Sequence, residues 1–205
     1  MSSSMRALML AVAAAIAASG CGGGGDAAPA TAASPASAPS SPAPSPAPPP
    51  SPSPAPAPAS ATCGLANFVQ ETLQRVNEIR ARGASCGGRG SFGPAPALTW
   101  NDALATATAG HSIDMATNNY FSHTSLSGAT MVDRISSAGY AWSSLAENIA
   151  AGYDSIAAVM TGWMDSDDHC VNLMNPQLRE IGMACAANDS TTYGTYWTMD
   201  LGAPR

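Results

Sequence analysis

AENIAAGYDSIAAVMTGWMDSDDHCVNLMNP, residues 146–176, holds one helix and the polar residues on either side of it, and the fold follows from its reading. Ser155 offers a side-chain oxygen that can cap a helix start. Ile156, Val159, Met160 and Trp163 then recur at i, i+3, i+4 and i+7, a single apolar stripe. Before the helix, Glu147 stands as an isolated acid among small apolar residues. After it, His169 and Cys170 follow Asp165, Asp167 and Asp168. A lone histidine beside acids is more often solvated or hydrogen-bonded than a ligand, so His169 needs partners from the rest of the chain.

Working outward, residues 68–82 place Val69, Leu73, Val76 and Ile79 at helical spacing, with Gly83 where a C-terminal cap belongs. A loop runs from Cys86 to Pro96. Leu98 to Asn101 leads into a second helix with Leu104, Ala107, His111 and Met115 on one stripe. His111 shares that apolar face and reads as a core histidine, with Asp114 a turn away to orient it. Met131 to Ala138 reads as a short helix ended by Gly139. Residues 179–187 and 193–201 read as two strands joined through Asn188, Asp189 and Ser190. Helices first and strands last predict an α+β domain, helices packed on a small antiparallel sheet.

The N-terminal part has a different composition. Residues 1–20 carry one basic residue, Arg6, and the twelve-residue apolar run Ala7 to Ala18, the pattern of a signal peptide. The run is shorter than the roughly 20 residues a membrane-spanning helix needs. Ala18-Ser19-Gly20-Cys21 resembles a bacterial lipobox, which implies diacylation of Cys21; ordinary cleavage after Ala17 is the alternative. Five cysteines are odd for an exported chain, and setting Cys21 aside leaves four that can pair. Residues 21–61 hold thirteen of the seventeen prolines and one charge, Asp26, so this segment reads as a tether. Residues 62–205 are long enough for one core. With no lysine and a formal net charge of −6, the chain is a poor partner for nucleic acid.

His111, His123 and His169 are the only histidines, and with Glu147 they are polar groups in largely apolar surroundings. His123, Glu147 and His169 fall at predicted element ends, which suits a shared cleft. Here the chain resembles the bacterial branch of the CAP superfamily of SCP-like extracellular proteins. The matching phrases are His111-Ser-Ile-Asp-Met115, Tyr120-Phe-Ser-His123, Asp133-Arg-Ile135, Glu147-Asn-Ile-Ala150, Gly162-Trp-Met164, His169 through Pro176, and Glu180-Ile-Gly182. The resemblance runs from about Leu65 to Leu201. It implies a three-layer αβα sandwich with a cleft lined by two histidines and two acids, here His123, His169 and Glu147. The second acidic position falls on Ser166, with Asp165 or Asp167 as substitutes, and Asn148 is a further cleft candidate.

Two imidazoles and a carboxylate can make a first shell for a divalent metal such as zinc, His123 and His169 being its ligands. Without metal, Glu147 could take a proton from a water; the bland reading is a buried polar network. The expected function is an exported, lipid-anchored binding module at the cell envelope, in the outer membrane, at the cell surface or in the periplasm. Its ligand would be a metal, a lipid or other apolar molecule, or an envelope component, and the N-terminal lipid its only membrane contact. The alternative is a metal-assisted, protease-like hydrolase using His123, His169 and Glu147. Nearest-neighbour pairing gives Cys63 with Cys86 and Cys170 with Cys185, one of three pairings that four cysteines allow. A nucleophilic Cys170 beside His169 is the rival to a bridge.

Overall fold

The computed structural model describes residues 61–205. The leader, Cys21 and the tether up to residue 60 lie outside the described residues. Helix α1 (Phe68–Arg82) has the bounds read from the sequence, and Gly83 ends it at φ 75°, a conformation that glycine adopts without strain. A short hairpin of β1 (Ala84–Ser85) and β2 (Ser91–Phe92) follows, closed by a 3₁₀ turn at Gly87–Arg89. After β3 (Thr99–Trp100), Asn101 caps α2 (Asp102–Asn118) by accepting from the amides of Ala103 and Leu104. Helix α3 (Met131–Ser137) opens on a reciprocal Thr130 and Asp133 capping box. Ser155 caps α4 (Ile156–Met164) as expected, accepting from Ala158 N. The Asp-Asp-His-Cys stretch forms a separate helix, α5 (Asp167–Met174), which the sequence reading left as chain after α4.

The main sheet contains β3, β4 (Trp142–Ala151), β5 (Glu180–Asn188) and β6 (Gly194–Pro204) in the order β3-β5-β6-β4. The β5–β6 hairpin is the one expected, and β4 joins β6 antiparallel. Only the two-residue β3 runs parallel, against β5, so the sheet is antiparallel except at that edge.

Side chains alternate across the sheet. Ile181, Met183, Trp197, Met199 and Leu201 join Phe68, Val76, Val159, Trp163 and Leu173 in one core, the layer of α1, α4 and α5. On the other face Ala186 and Tyr196 meet Met115 and Ala116 of α2. Gly182 lets α2 approach the sheet, for a Cβ there would lie 2.2 Å from Ala105 N. The result is the expected αβα sandwich.

The disulfides differ from the nearest-neighbour expectation. Cys63 pairs with Cys185 and Cys86 with Cys170, at Cα separations of 5.2 and 5.4 Å. The reason is geometric. The 15 residues of α1 put the two ends of the helix roughly 22 Å apart, and from those ends the chain leads Cys63 to β5 and Cys86 to α5, whereas bridged Cα atoms lie within about 7 Å. Thr62 instead bridges to Cys185, and Cys63 N donates to Cys185 O at 3.0 Å. The Gly87–Arg89 turn sits on the start of α5, where Gly88 N donates to Asp167 Oδ2 at 2.8 Å, bringing Cys86 to Cys170. A bridged Cys170 leaves no thiol for a nucleophile. The bridges span 122 and 84 residues, so in the chain-entropy picture each contributes about 4–5 kcal/mol. Peptide mapping without reductant is expected to recover these two long-range cross-links, and a Cys63–Cys86 peptide would contradict the arrangement.

Candidate functional site

The site wraps the free edge of the sheet at β4. Successive residues of a strand face opposite layers, so Glu147 and Asn148 look to different sides. Glu147 lies opposite Asp200 of β6 and faces α2 and α3; Asn148 lies opposite Met199 and faces α5. The sequence reading placed Glu147 at an element end. It stands inside a ten-residue strand whose two faces are both covered, so the alternation that betrays a half-buried strand is missing.

On the first side, the carboxylate of Glu147, with its side chain only 3% exposed, accepts from His123 Nδ1 at 2.8 Å and from Arg134 Nη2 at 2.5 Å. Arg134 Nη1 also donates to the carbonyls of His123 and Ala129, tying α3 to the loop that carries His123. Burial by itself would raise the pKa of Glu147. The hydrogen bond from His123 and the charge and hydrogen bond of Arg134 outweigh it and hold the carboxyl below its ordinary range. His123 is the exposed member, its side chain 56% accessible, and with Nδ1 donating to Glu147 its Nε2 is the nitrogen left for a ligand.

His169 approaches from α5 on the second side. Asn148 Nδ2 donates to the His169 carbonyl at 3.1 Å, and Asn172 Nδ2 donates to Asn148 Oδ1 at 2.8 Å and to the Glu147 carbonyl at 3.3 Å. These bonds fix the backbone of α5 against β4. Burial lowers the pKa of His169, and the nearby His123 lowers it further, so the ring favours its neutral form. Two imidazoles thus flank one strand edge, one of them oriented by a carboxylate.

The remaining candidates have local roles. Asp165 is the exposed C-cap of α4 and Ser166 the N-cap of α5, while Asp167 accepts from the Gly88 amide. Asn148 is a fully buried brace between β4 and α5. His111 is the core histidine it was read to be: fully buried, it donates from Nε2 to the Ser122 carbonyl at 2.9 Å, and burial followed by Arg134 lowers its pKa. Asp114 does not hydrogen-bond it but accepts from Tyr120 Oη and Asn118 Nδ2 instead.

Two residues of the site escaped the sequence reading. Arg134 stood only inside the Asp133-Arg-Ile135 phrase, with no role given to it, although it is the sole basic residue of its short helix. Asp200 lay unremarked in the apolar run Tyr196 to Leu201, where a single acid was the available signal. It is the acid that stands opposite Glu147 across the β4–β6 pair. Among the described residues no group of three His, Cys, Asp or Glu side chains is arranged to hold a metal ion.

The Cysteine-rich secretory protein family, CAP, matches residues 73–201. The chain is 35% identical over 86 residues to the uncharacterized membrane protein YlbC of Bacillus subtilis, covering 42% of this chain and 25% of that protein. It is 30% identical over 104 residues to the uncharacterized protein YkwD of the same bacterium, covering 51% and 38%. The matches therefore span well under half the length of these relatives. An extracellular SCP-domain protein from Bacillus anthracis superposes with a TM-score of 0.54 at 30% identity, covering 66% of this chain and 40% of that one. An outer surface protein from Borrelia burgdorferi gives 0.55 at 19% identity, covering 66% and 92%, a likeness of fold. With the family matched over most of its folded part, this chain belongs to the Cysteine-rich secretory protein, or CAP, family.

Proposed function

We propose that this protein is an exported binding module, attached to the cell envelope through a lipid on Cys21, whose CAP domain takes a ligand at the β4 edge with the help of a divalent cation such as zinc. One observation carries the reading. Glu147 has both carboxylate oxygens engaged, by His123 and by Arg134, so it orients a ring and is not free to act as a base. A hydrolase built on His123, His169 and Glu147 needs that free base. Two imidazoles are donors of the kind a divalent cation takes, and Glu147 would be the carboxylate partner that fixes the tautomer of a ligating histidine. Glu147 is thus not itself a ligand. A cation held there would polarise an oxygen of whatever molecule completes its coordination.

An apolar component of the ligand is supported by the exposed rings of Phe121 and Tyr193, whose centroids lie 5.8 Å apart two residues from His123 in sequence on the Phe121 side. The likeness to an extracellular and to an outer-surface protein supports export, and among the described residues no helix is long and apolar enough to cross a membrane.

Calorimetric titration of the purified full chain with zinc tests the reading. His123→Ala and His169→Ala are each expected to weaken binding by at least about tenfold while leaving the fold intact. Binding that survives both substitutions would reject the shared site. Mass spectrometry of the mature N-terminus tests the anchor separately, a diacylated Cys21 being expected and an unmodified one contradicting it.

A further inference from the structure

The acid opposite Glu147 has no use in the reading above, and its surroundings are unusual. Asp200 is fully buried, and no N–H or O–H of another described residue donates to either of its oxygens, whose polar neighbour is the Glu147 carboxylate. Its register partner on β4 is Glu147, directly across the antiparallel pair, where facing Cβ atoms lie about 4.5–5.5 Å apart. On its other flank β5 presents Gly182, which has no side chain. The charged and titratable groups around this acid pair are His111 of α2, Arg134 of α3 and His123 of the loop between them. Arg134 Nη2 is already engaged by Glu147, and its buried Nε has no partner among the described residues. An ionised Asp200 would be a second buried negative charge beside a carboxylate with no donor of its own, an arrangement that costs several kcal/mol.

We infer that Asp200 is a buried proton-binding site: its carboxyl carries a proton at neutral pH and donates it to the Glu147 carboxylate, making Asp200 the third donor that fixes that group. Glu147 then takes hydrogen bonds from His123, Arg134 and Asp200, one negative charge is shared by two carboxyls, and the ring of His123 is held by a carboxylate that cannot turn away. Burial drives the acid toward its neutral form and the Glu147 charge drives it further, against the smaller opposing effect of Arg134. The inference does not depend on what the cleft binds.

Infrared spectroscopy of the full-length wild type, with the aspartate carboxyls carbon-13 labelled, tests this at about pH 8, well above the ordinary carboxyl range. Asp200 is the one aspartate among the described residues that is buried. A protonated-carboxyl carbonyl band that moves with the label is expected, and its absence would overturn the proposal, since an Asp200 ionised against water would give none. The second measurement is the difference in melting temperature between Asp200→Asn and wild type. A folded-state pKa above the unfolded one makes wild type lose stability as pH rises past the ordinary 3.8 of the carboxyl, a loss the amide does not suffer. The variant should therefore gain at least about 3 °C on wild type between about pH 4 and pH 7. A difference that is flat, or that turns against Asp200→Asn as pH rises, would show that Asp200 is ionised in the native protein.

Discussion

Arg80→Met is expected to destabilise the domain by at least about 4 kcal/mol, a large share of the roughly 5–15 kcal/mol that holds a typical domain folded. Arg80 is fully buried at the end of α1, and among the described residues it has no carboxylate partner. Its guanidinium donates instead to four carbonyl oxygens: Nε to Pro96 at 2.7 Å, Nη1 to Leu173 at 2.6 Å and to Asn175 at 3.0 Å, and Nη2 to Leu178 at 3.1 Å. One planar fork thus joins α1 to the loop before β3 and to the turn between α5 and β5. Burial and then the charge of Arg179 lower its pKa to about 10, so it stays a cation through the neutral range. A methionine fills much of the volume but leaves those acceptors without a donor, each costing about 1–3 kcal/mol where water cannot reach. Arg80→Lys should cost less but remain clearly destabilising, because a single ammonium cannot reproduce the fork. Denaturant unfolding measures both, and a loss below about 1 kcal/mol for Arg80→Met would contradict the role.

Arg80 also marks where the sequence stops being legible. The stripe Val69, Leu73, Val76 and Ile79 correctly predicted the helix and its ends. The buried residues are Phe68, Val69, Thr72, Val76 and Arg80, a face turned partly away from that stripe. Periodicity follows apolar residues, and here an arginine and a threonine occupy core positions because their polar atoms find partners in other segments. Ser155 and Gly83 were readable because caps act locally. By contrast, β4 and the cysteine pairing depend on which segments meet across the sheet. In the site, His123, Glu147 and His169 could be named from types and phrases, but Arg134 and Asp200 acquire roles only through the register of β4 on β6.

Glu147→Gln is the second large effect expected, a loss of about 3–5 kcal/mol at neutral pH. The amide can accept from only one side, so the Arg134 guanidinium, with a side chain 10% exposed, is left as a buried cation without its counter-charge. The pH dependence has a definite sign. Glu147 has a folded pKa held below the ordinary 4.5, so its contribution is present above that value and is lost as pH falls through the folded value. The gap between wild type and Glu147→Gln should therefore be widest above about pH 5 and close in stronger acid. Denaturant titrations at a series of pH values measure it. A gap that persists unchanged in acid would mean that the glutamate stabilises the fold by packing and not by charge.

X-ray absorption at the zinc edge of the zinc-loaded full chain examines the two-ring site most directly. Expected are two imidazole nitrogens at about 2.0–2.1 Å, with oxygen completing the shell, and loss of the imidazole scattering in the His123→Ala, His169→Ala double variant. Imidazole scattering that remains in the double variant, or a shell without imidazole in the wild type, would contradict a cation held between His123 and His169.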